Sequence, residues 1–244
     1  MSDQPLSTAL LEPLPPYVVP HSQLPSRLIY LDDDLIIVDK PTFLLSVPGR
    51  HPINHDSLIL RLRKRFPGVD AVHRLDLDTS GLIIVPRHRQ SLAAVARLFQ
   101  ARAVEKEYRA VVWGEVAAEQ GEIDLPIARD WENRPRQKIC ASTGKQSLTQ
   151  FEVLARGENR TLLRLTPITG RSHQLRIHLR ELGHPILGCD MYAHPAALAA
   201  SPRLLLHATR IAFEHPRGGF KIRAYAAPPF GLQGETPLPI PTNK

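Results

Sequence analysis

Short apolar runs bounded by turn residues are the main pattern of this chain, and they predict strands more often than helices. The run from Leu82 to Val85 lies between a glycine and a proline, as a short buried strand does. In residues 106–113 the positions alternate, which places Tyr108 and Arg109 on opposite faces of one strand. The predicted strands are residues 27–30, 35–38, 82–85, 106–113, 147–154, 161–165 and 220–224.

Three segments instead repeat apolar residues at helical spacing. They are residues 57–66, with Asp56 or Ser57 as the expected N-cap, residues 91–102 and residues 172–182. The third helix has two stripes, Leu175, Leu179 and Leu182 on one side and His173, Arg176 and Arg180 on the other. The cationic stripe either faces a carboxylate or phosphates, or is a solvated basic face.

Strands outnumber helices in this pattern and do not alternate regularly with them. The predicted fold class is therefore α+β, with a mixed, mainly antiparallel sheet flanked by helices. Residues 130–142 are predicted to be a polar connection. Residues 1–26 carry many prolines and few apolar pairs, so we expect an irregular leader that is too short for a domain.

The chain is basic and has the composition of a globular protein. Its 244 residues carry a formal net charge of +7, which favours a polyanionic partner. No apolar run is long enough to cross a bilayer, and neither a signal peptide nor a basic amphipathic helix with an aromatic face is present, so we expect a cytoplasmic protein without a membrane partner. Cys140 and Cys189 cannot form a CxxC site, and both are expected to be buried thiols.

Residues 73–82 form a charged run between two apolar segments. Asp76 and Asp78 suggest a paired acid and base, but carboxylates two residues apart on an extended chain share one face and leave no room for a substrate between them. Asp78 is expected to cap the turn at residues 79–81, where Gly81 can adopt a positive φ. Asp76 is then a single carboxylate, suited to attack a sugar carbon or to remove a sugar proton.

Several common kinds of site are missing from the sequence. No HExxH pattern is present, and His173 and His178 fall on different sides of a helix, so structural or RNA-contacting histidines are favoured over a metal site. The GxxxxGK[ST], GxGxxG and GxSxG patterns are also absent, which argues against a nucleotide cofactor and against a serine nucleophile.

Five motifs, in order, resemble those of the RluA-type pseudouridine synthases. They are His73-Arg74-Leu75-Asp76 with residues 79–82, Lys106-Glu107-Tyr108, and the segments 170–178, 183–188 and 203–208. The resemblance makes residues 27–230 the catalytic domain and residues 231–244 a C-terminal tail, without the S4-like domain of many relatives. Segments 45–50 and 130–135 are most similar to the small members that act on both transfer RNA and large-subunit ribosomal RNA.

The resemblance implies a pseudouridine synthase catalytic fold of two fused subdomains around a central cleft. Such an enzyme isomerises uridine in structured RNA: it cleaves the bond from C1′ of the sugar to N1 of the base, turns the uracil and rejoins it through C5. The implied partners are 23S ribosomal RNA and the anticodon stem-loop of transfer RNA, and neither a cofactor nor a metal is implied. A monomer is favoured for a chain with no obvious apolar surface patch.

By the same resemblance, Asp76 is the catalytic carboxylate, Arg176 its salt-bridge partner and Leu206 part of the pocket wall. Tyr108 is implied to pack on the flipped uracil, and the ordinary pKa of a tyrosine, about 10, favours stacking over proton removal from C5. Arg74 is implied to enter the RNA and fill the place of the flipped base, unless it only pairs with a neighbouring carboxylate.

Two other functions stay open on the sequence alone. A catalytically silent RNA-binding protein on the same scaffold would keep a basic groove but would have no use for Asp76. A hydrolytic N-glycosylase would release free uracil and leave an abasic site.

Overall fold

Eleven strands and four α-helices form within residues 18–19 and 22–232, the part of the chain that the computed structural model describes. The strands are β1 (Arg27–Leu31), β2 (Leu35–Lys40), β3 (Ser80–Pro86), β4 (Glu105–Trp113), β5 (Gln120–Asp124), β6 (Ile127–Arg129), β7 (Gln137–Ile139), β8 (Leu148–Gly157), β9 (Arg160–Pro167), β10 (Leu206–Glu214) and β11 (Lys221–Tyr225). The helices are α1 (Leu58–Arg63), α2 (Arg89–Gln100), α3 (Gln174–Glu181) and α4 (Pro195–Ala199).

One large sheet organises the fold. Its strands follow the order β1-β2-β3-β10-β4-β9-β8-β5, and β11 pairs with β10. Neighbouring strands run antiparallel except β3 and β10, which are parallel where Ser80 and Gly81 meet His207 and Ala208. The prediction of an α+β fold with a mixed, mainly antiparallel sheet is therefore confirmed.

The hydrophobic core is divided between two halves of the sheet. In one half, β2, β3, β10 and β11 pack against α2 through side chains such as Ile37, Ile84 and Phe213, while the alternate side chains of β2 and β3 pack against α1. In the other half, β4, β8 and β9 pack against α3 through side chains such as Leu163 and Ile177. This division agrees with the expected pair of fused subdomains, and the central strands β3, β10 and β4 join them.

Gly81 sets how closely β3 approaches β10. Its φ is +111°, and a Cβ at this position would lie 2.3 Å from the carbonyl oxygen of Ala208. The predicted positive φ is present, but Ser80 and Gly81 begin β3 instead of completing a turn. The turn lies just before them, where the amide of Thr79 donates to the carbonyl oxygen of Asp76 at 3.3 Å.

The other differences from the prediction are shifted ends of predicted elements and elements that were not predicted, among them the central strand β10 and helix α4. Helix α1 ends at Arg63, three residues early, with Ser57 as its cap, and α2 is capped by His88 instead of starting at residue 91. The predicted polar connection contains β7, which pairs with β6 in a short hairpin. Cys140 follows that hairpin at the surface and is partly exposed, so only the burial of Cys189 was predicted correctly.

Residues 1–17, 20–21 and 233–244 lie outside the described residues, so most of the predicted leader and tail stays a prediction. No described helix has the length and apolar composition that crossing a membrane requires.

Candidate active site

Asp76 lies in a loop whose backbone is fixed by side chains from the segment after β2. Ser46 donates its hydroxyl to the carbonyl oxygen of Leu75 at 2.7 Å and accepts the amide of the same residue at 3.1 Å. Thr42 donates to the carbonyl oxygen of Asp78 at 2.8 Å. Both ends of the Asp76 loop are therefore held before any substrate arrives.

A buried lysine, Lys40, also contacts the backbone of the Asp76 loop. The Lys40 side chain is fully buried, and its ammonium group donates to three carbonyl oxygens, those of Pro41 at 3.0 Å, Leu44 at 2.7 Å and Leu77 at 3.3 Å. Burial lowers the pKa of Lys40 to about 7, and the nearby carboxylates of Asp76 and Asp78 oppose that shift. Sequence patterns gave no signal for this residue because its partners are backbone atoms.

Arg176 faces the loop from α3. Its side chain is 1% exposed, and Nη1 lies 3.6 Å from Oδ2 of Asp76 and 4.0 Å from Oδ2 of Asp78. Its other nitrogens reach Asp190 at 2.5 Å and the sulfur of Cys189 at 3.3 Å. Burial opposes the charge of the guanidinium, but the neighbouring Cys189 and Asp76 raise its pKa, so it stays a cation.

The solvated-face interpretation of α3 is wrong for its central residues. Residues 174–179 are all buried, because both sides of the helix pack against the sheet or the cleft wall. Arg176 points to carboxylates, whereas Arg180 pairs with Glu181 at the surface.

His173 connects Asp76 to the other side of the cleft. Its Nε2 lies 3.8 Å from Oδ2 of Asp76, and its Nδ1 lies 2.7 Å from the hydroxyl of Tyr192, which also accepts the amide of Gln137 at 2.8 Å. Burial lowers the pKa of His173, although the Asp76 carboxylate opposes the shift. A neutral ring that accepts the Tyr192 proton at Nδ1 directs its Nε2–H towards Asp76.

Tyr108 and Leu206 form the apolar wall of the cleft. In the antiparallel pair β4 and β10, Tyr108 lies opposite Ala208 and Leu206 lies opposite Ala110, which places both side chains on one face. Burial, and then the charge of Asp76, raise the pKa of Tyr108, so its phenol is protonated at neutral pH. With its hydroxyl protonated, the Tyr108 side chain is a poor proton acceptor, but its ring can still stack on another ring.

All five predicted site residues line a single cleft of about 740 Å³. The set is Arg74, Asp76, Tyr108, Arg176 and Leu206. Arg74 is exposed and makes no ion pair with any residue of the described ranges, so the alternative in which it pairs with Asp76 or Asp78 is not observed. The carboxylates instead share Arg176.

A comparison with models of protein families identifies the family of this chain. The model of the RNA pseudouridylate synthase family matches residues 34–181, a segment that holds Asp76, Tyr108 and Arg176. The chain belongs to this family. The predicted resemblance, the isomerase class and an RNA substrate are therefore confirmed, and the comparisons give no support to a silent binding protein or to an N-glycosylase.

Individual relatives of the synthase are similar over most of their length. The dual-specificity RNA pseudouridine synthase RluA of Pasteurella multocida is 50% identical over 190 residues, which cover 78% of this chain and 87% of the relative. The Escherichia coli K12 protein of the same name is 46% identical over 193 residues, with coverage of 79% and 88%. The structure of human RNA pseudouridylate synthase domain containing 1 is 31% identical, with a TM-score of 0.72 and coverage of 86% of both chains.

The rim of the synthase cleft is strongly basic. Besides Arg74 and Arg176, the cationic lining residues are Arg50, Lys106, Arg129, Arg134, Arg136 and Arg171. Such a lining suits the phosphates of a polynucleotide. Sequence patterns pointed to a polyanionic partner through net charge and the cationic stripe of α3. They did not predict this rim, because the cationic residues of the cleft come from five separate segments.

Histidines of the synthase have structural roles where the contacts are clear. His73 accepts the amide of Ile84 at Nε2, 2.8 Å away, and burial lowers its pKa to about 3, so it is neutral. Within the described ranges, the histidine and carboxylates close enough to hold a metal are Asp32, Asp34 and His215. That group does not line the cleft, and Arg217 already donates to Asp34 at 2.7 Å.

Proposed function

We propose that this synthase converts uridine to pseudouridine in both ribosomal and transfer RNA, with Asp76 as its catalytic carboxylate. The observation that carries the assignment is the position of Asp76, on a loop fixed by hydrogen bonds and opposite a buried arginine in a basic cleft. The dual target is supported by relatives of 46% to 50% identity whose names state dual specificity. In this proposal 23S ribosomal RNA and transfer RNA hairpins are the two partners.

The reaction balances without any other reactant. The bond from C1′ to N1 breaks, a bond from C1′ to C5 forms, the proton leaves C5, and N1 gains one. Substrate and product are isomers, so no oxidant, reductant or group donor is required. Asp76 acts at the sugar, either on C1′ or on a sugar proton, and the cationic Arg176 faces its carboxylate across 3.6 Å.

The remaining residues of the cleft are proposed to bind the flipped nucleotide. Tyr108 stacks on the uracil, because its aromatic ring lines the cleft with Asp76 and its hydroxyl keeps its proton. Leu206 packs next to the uracil. Arg74 is exposed at the cleft, so its planar guanidinium is free to replace the uridine in the RNA stack.

A matched pair of variants tests the role of Asp76. Asp76→Asn and Asp78→Asn each remove one carboxylate that faces Arg176. With hairpin RNA labelled with tritium at uracil C5, we expect Asp76→Asn to abolish tritium release and Asp78→Asn to reduce it by no more than about tenfold. Equal losses in both variants, or turnover by Asp76→Asn, contradict the assignment.

Product analysis tests the reaction and its targets. Digestion of the RNA to nucleosides should give pseudouridine, whereas free uracil identifies a glycosylase and unchanged RNA a binding protein. Mapping of pseudouridine in cells with and without the gene should show one loss in large-subunit ribosomal RNA and one in transfer RNA. A loss in one RNA class alone contradicts dual specificity.

The proposal also includes a monomer in the cytoplasm, where both RNA classes are made in bacteria, the source of the two RluA relatives named above. Light scattering of the purified protein tests the first point, and cell fractionation tests the second.

A further inference from the structure

The side chain of Trp131 is exposed at the surface of the protein. Its exposed fraction is 59%, the highest of any large apolar side chain in the described residues. It lies in the loop of residues 130–136 that joins β6 to β7, and the reaction proposed above gives it no role. Tryptophan is enriched at binding surfaces, where its ring packs on a partner, and the contacts of this side chain fit it for such a role.

Two arginines lie against the indole ring of Trp131. The guanidinium carbon of Arg134 lies 4.3 Å from the ring centroid and that of Arg129 lies 5.5 Å from it. In these cation–π contacts the guanidinium groups lie over the indole ring, so they orient the ring and bring positive charge close to it. Nucleobases stack on aromatic rings, and their phosphates bind arginine, so this composite surface fits one nucleotide.

The loop that carries Trp131 is held in place by its own hydrogen bonds. The amide of Asp130 donates to the carbonyl oxygen of Arg136 at 3.1 Å, and the Asn133 amide group donates to the Asp130 carboxylate at 3.0 Å. At the base of the hairpin, the amide of Gln137 donates to Tyr192 at 2.8 Å. A ring on an ordered hairpin loses little conformational entropy when a base stacks on it.

The position of Trp131 is also favourable for RNA. The ring lines the catalytic cleft and, in addition, a second groove of about 640 Å³ next to it. Residues 129–138 contain four cations and two carboxylates, and none of the four cations forms an ion pair within the described part of the chain. Because Trp131 lines both cavities, a polynucleotide bound in the cleft can reach its ring.

We propose that Trp131, together with the neighbouring Arg129 and Arg134, is a stacking platform for an unpaired nucleobase that lies outside the catalytic pocket. The platform rests on the proposed function, because its ligand is the same RNA hairpin whose uridine is flipped beside Asp76. It selects RNA with an unpaired base at a fixed distance from the target uridine, without reading the identity of that base.

Fluorescence gives a direct test, since the chain has two tryptophans. Trp113 packs edge-on against His194, with centroids 5.0 Å apart, and lines neither cavity. In a Trp113→Phe protein, Trp131 is the sole tryptophan, and we expect its emission to be quenched when hairpin RNA is added. In a series of hairpins, each loop nucleotide in turn is replaced by an abasic one. We expect the quenching to be lost for one of these hairpins only.

Affinity and rate separate the platform from the catalytic site. Trp131→Ala should weaken RNA binding by roughly 5- to 150-fold, the loss of one stacked base, while Trp131→Phe stays within about threefold of the wild type. The rate at saturating RNA should be unchanged in both. Because stacking releases no counterions, Trp131→Ala should keep the salt dependence of binding, whereas Arg136→Ala should lower its slope by about one.

Failure of the platform differs from failure of the proposed function. A wild-type protein that makes pseudouridine, together with a Trp131→Ala variant that binds hairpin RNA as tightly as the wild type, overturns the platform alone. An unquenched Trp131 in the RNA complex overturns it as well. A wild-type protein that makes no pseudouridine overturns the proposed function, whatever the tryptophan reports.

Discussion

Nη1 of Arg176 lies 3.6 Å from Oδ2 of Asp76, in a side chain that is 1% exposed. This nitrogen is buried and makes no hydrogen bond within the described residues, although the other nitrogens of the guanidinium reach Asp190 and Cys189. A buried donor without a partner is costly, and catalytic hydrogen bonds often shorten only when substrate is bound. We infer that the contact between Arg176 and Asp76 closes in the RNA complex.

Two substitutions of Arg176 should separate charge from geometry. Arg176→Met leaves three carboxylates, those of Asp76, Asp78 and Asp190, facing an uncharged side chain and should lower the free energy of unfolding by about 3–5 kcal/mol, with loss of activity. Arg176→Lys keeps the charge but cannot hold Asp190 and Asp76 together, so we expect a folded protein with turnover reduced about 10²-fold. Urea unfolding and tritium release measure the two effects, and a fully active Arg176→Lys protein contradicts the geometric argument.

Lys40 should matter for catalysis without touching RNA. Lys40→Met leaves the carbonyl oxygens of Pro41, Leu44 and Leu77 without a donor, which should cost about 1–3 kcal/mol of stability and displace the Asp76 loop. A displacement of about 1 Å should lower the rate at saturating RNA about 10²-fold, with the dissociation constant for RNA unchanged. Single-turnover kinetics and filter binding check both parts.

A control for Lys40 comes from the other side of the loop. Ser46→Ala removes one hydrogen-bond partner of Leu75 and should lower the rate in the same direction but by less. Weaker RNA binding by Lys40→Met, with a normal rate at saturation, would show that the residue does not position Asp76.

The sequence predicted best what depends on local spacing. Apolar runs located β2, β3, β4, β8 and β9, because strand periodicity needs only a few neighbouring residues. The parallel contact of β3 with β10 joins residues more than a hundred positions apart, and no local pattern encodes it. The same limit explains why β10 was noticed as a motif and not as a strand.

The same distinction between local and distant contacts applies to the residues of the candidate site. Asp76, Tyr108 and Arg176 carry recognisable motifs, so their presence in one cleft could be anticipated. Lys40 acts through backbone carbonyls. Trp131 lies in a segment whose sequence predicted a polar connection and marked the subgroup of the family, without indicating a role for the tryptophan. Contacts of this kind become visible only when the chain has folded.

His207 should make stability depend on pH. Its side chain is buried, Nδ1 accepts the hydroxyl of Ser80 at 2.8 Å, and Nε2 donates to the carbonyl oxygen of Ala226 at 3.2 Å. Burial lowers the pKa of His207 to about 4, compared with 6.5 for an ordinary histidine. Between these values the unfolded chain binds a proton that the native state excludes, so stability is complete above pH 6.5 and falls as the pH drops towards 4.

The expected slope from His207 is about 1.4 kcal/mol per pH unit within that window, about 3 kcal/mol in total. In urea unfolding at a series of pH values, His207→Gln should reduce the acid-dependent loss by this amount. His55 is exposed, so His55→Gln should leave the wild-type profile in place. An unchanged slope in His207→Gln would contradict the assignment of a neutral native His207.

Gly81 and Gly183 allow backbone strain to be separated from close packing of strands. Both have positive φ, +111° and +90°, but a Cβ on Gly183 meets nothing within 4 Å, whereas a Cβ on Gly81 lies 2.3 Å from the carbonyl oxygen of Ala208. Gly183→Ala should therefore cost about 1–2 kcal/mol of unfolding free energy, from strain alone. Gly81→Ala adds a backbone clash that cannot relax without parting β3 from β10, so it should cost more than about 3 kcal/mol. Because the Asp76 loop enters β3 at this point, Gly81→Ala should also lose turnover, while Gly183→Ala keeps it. Equal costs for the two variants in urea unfolding would mean that the approach of β3 to β10 does not constrain the site.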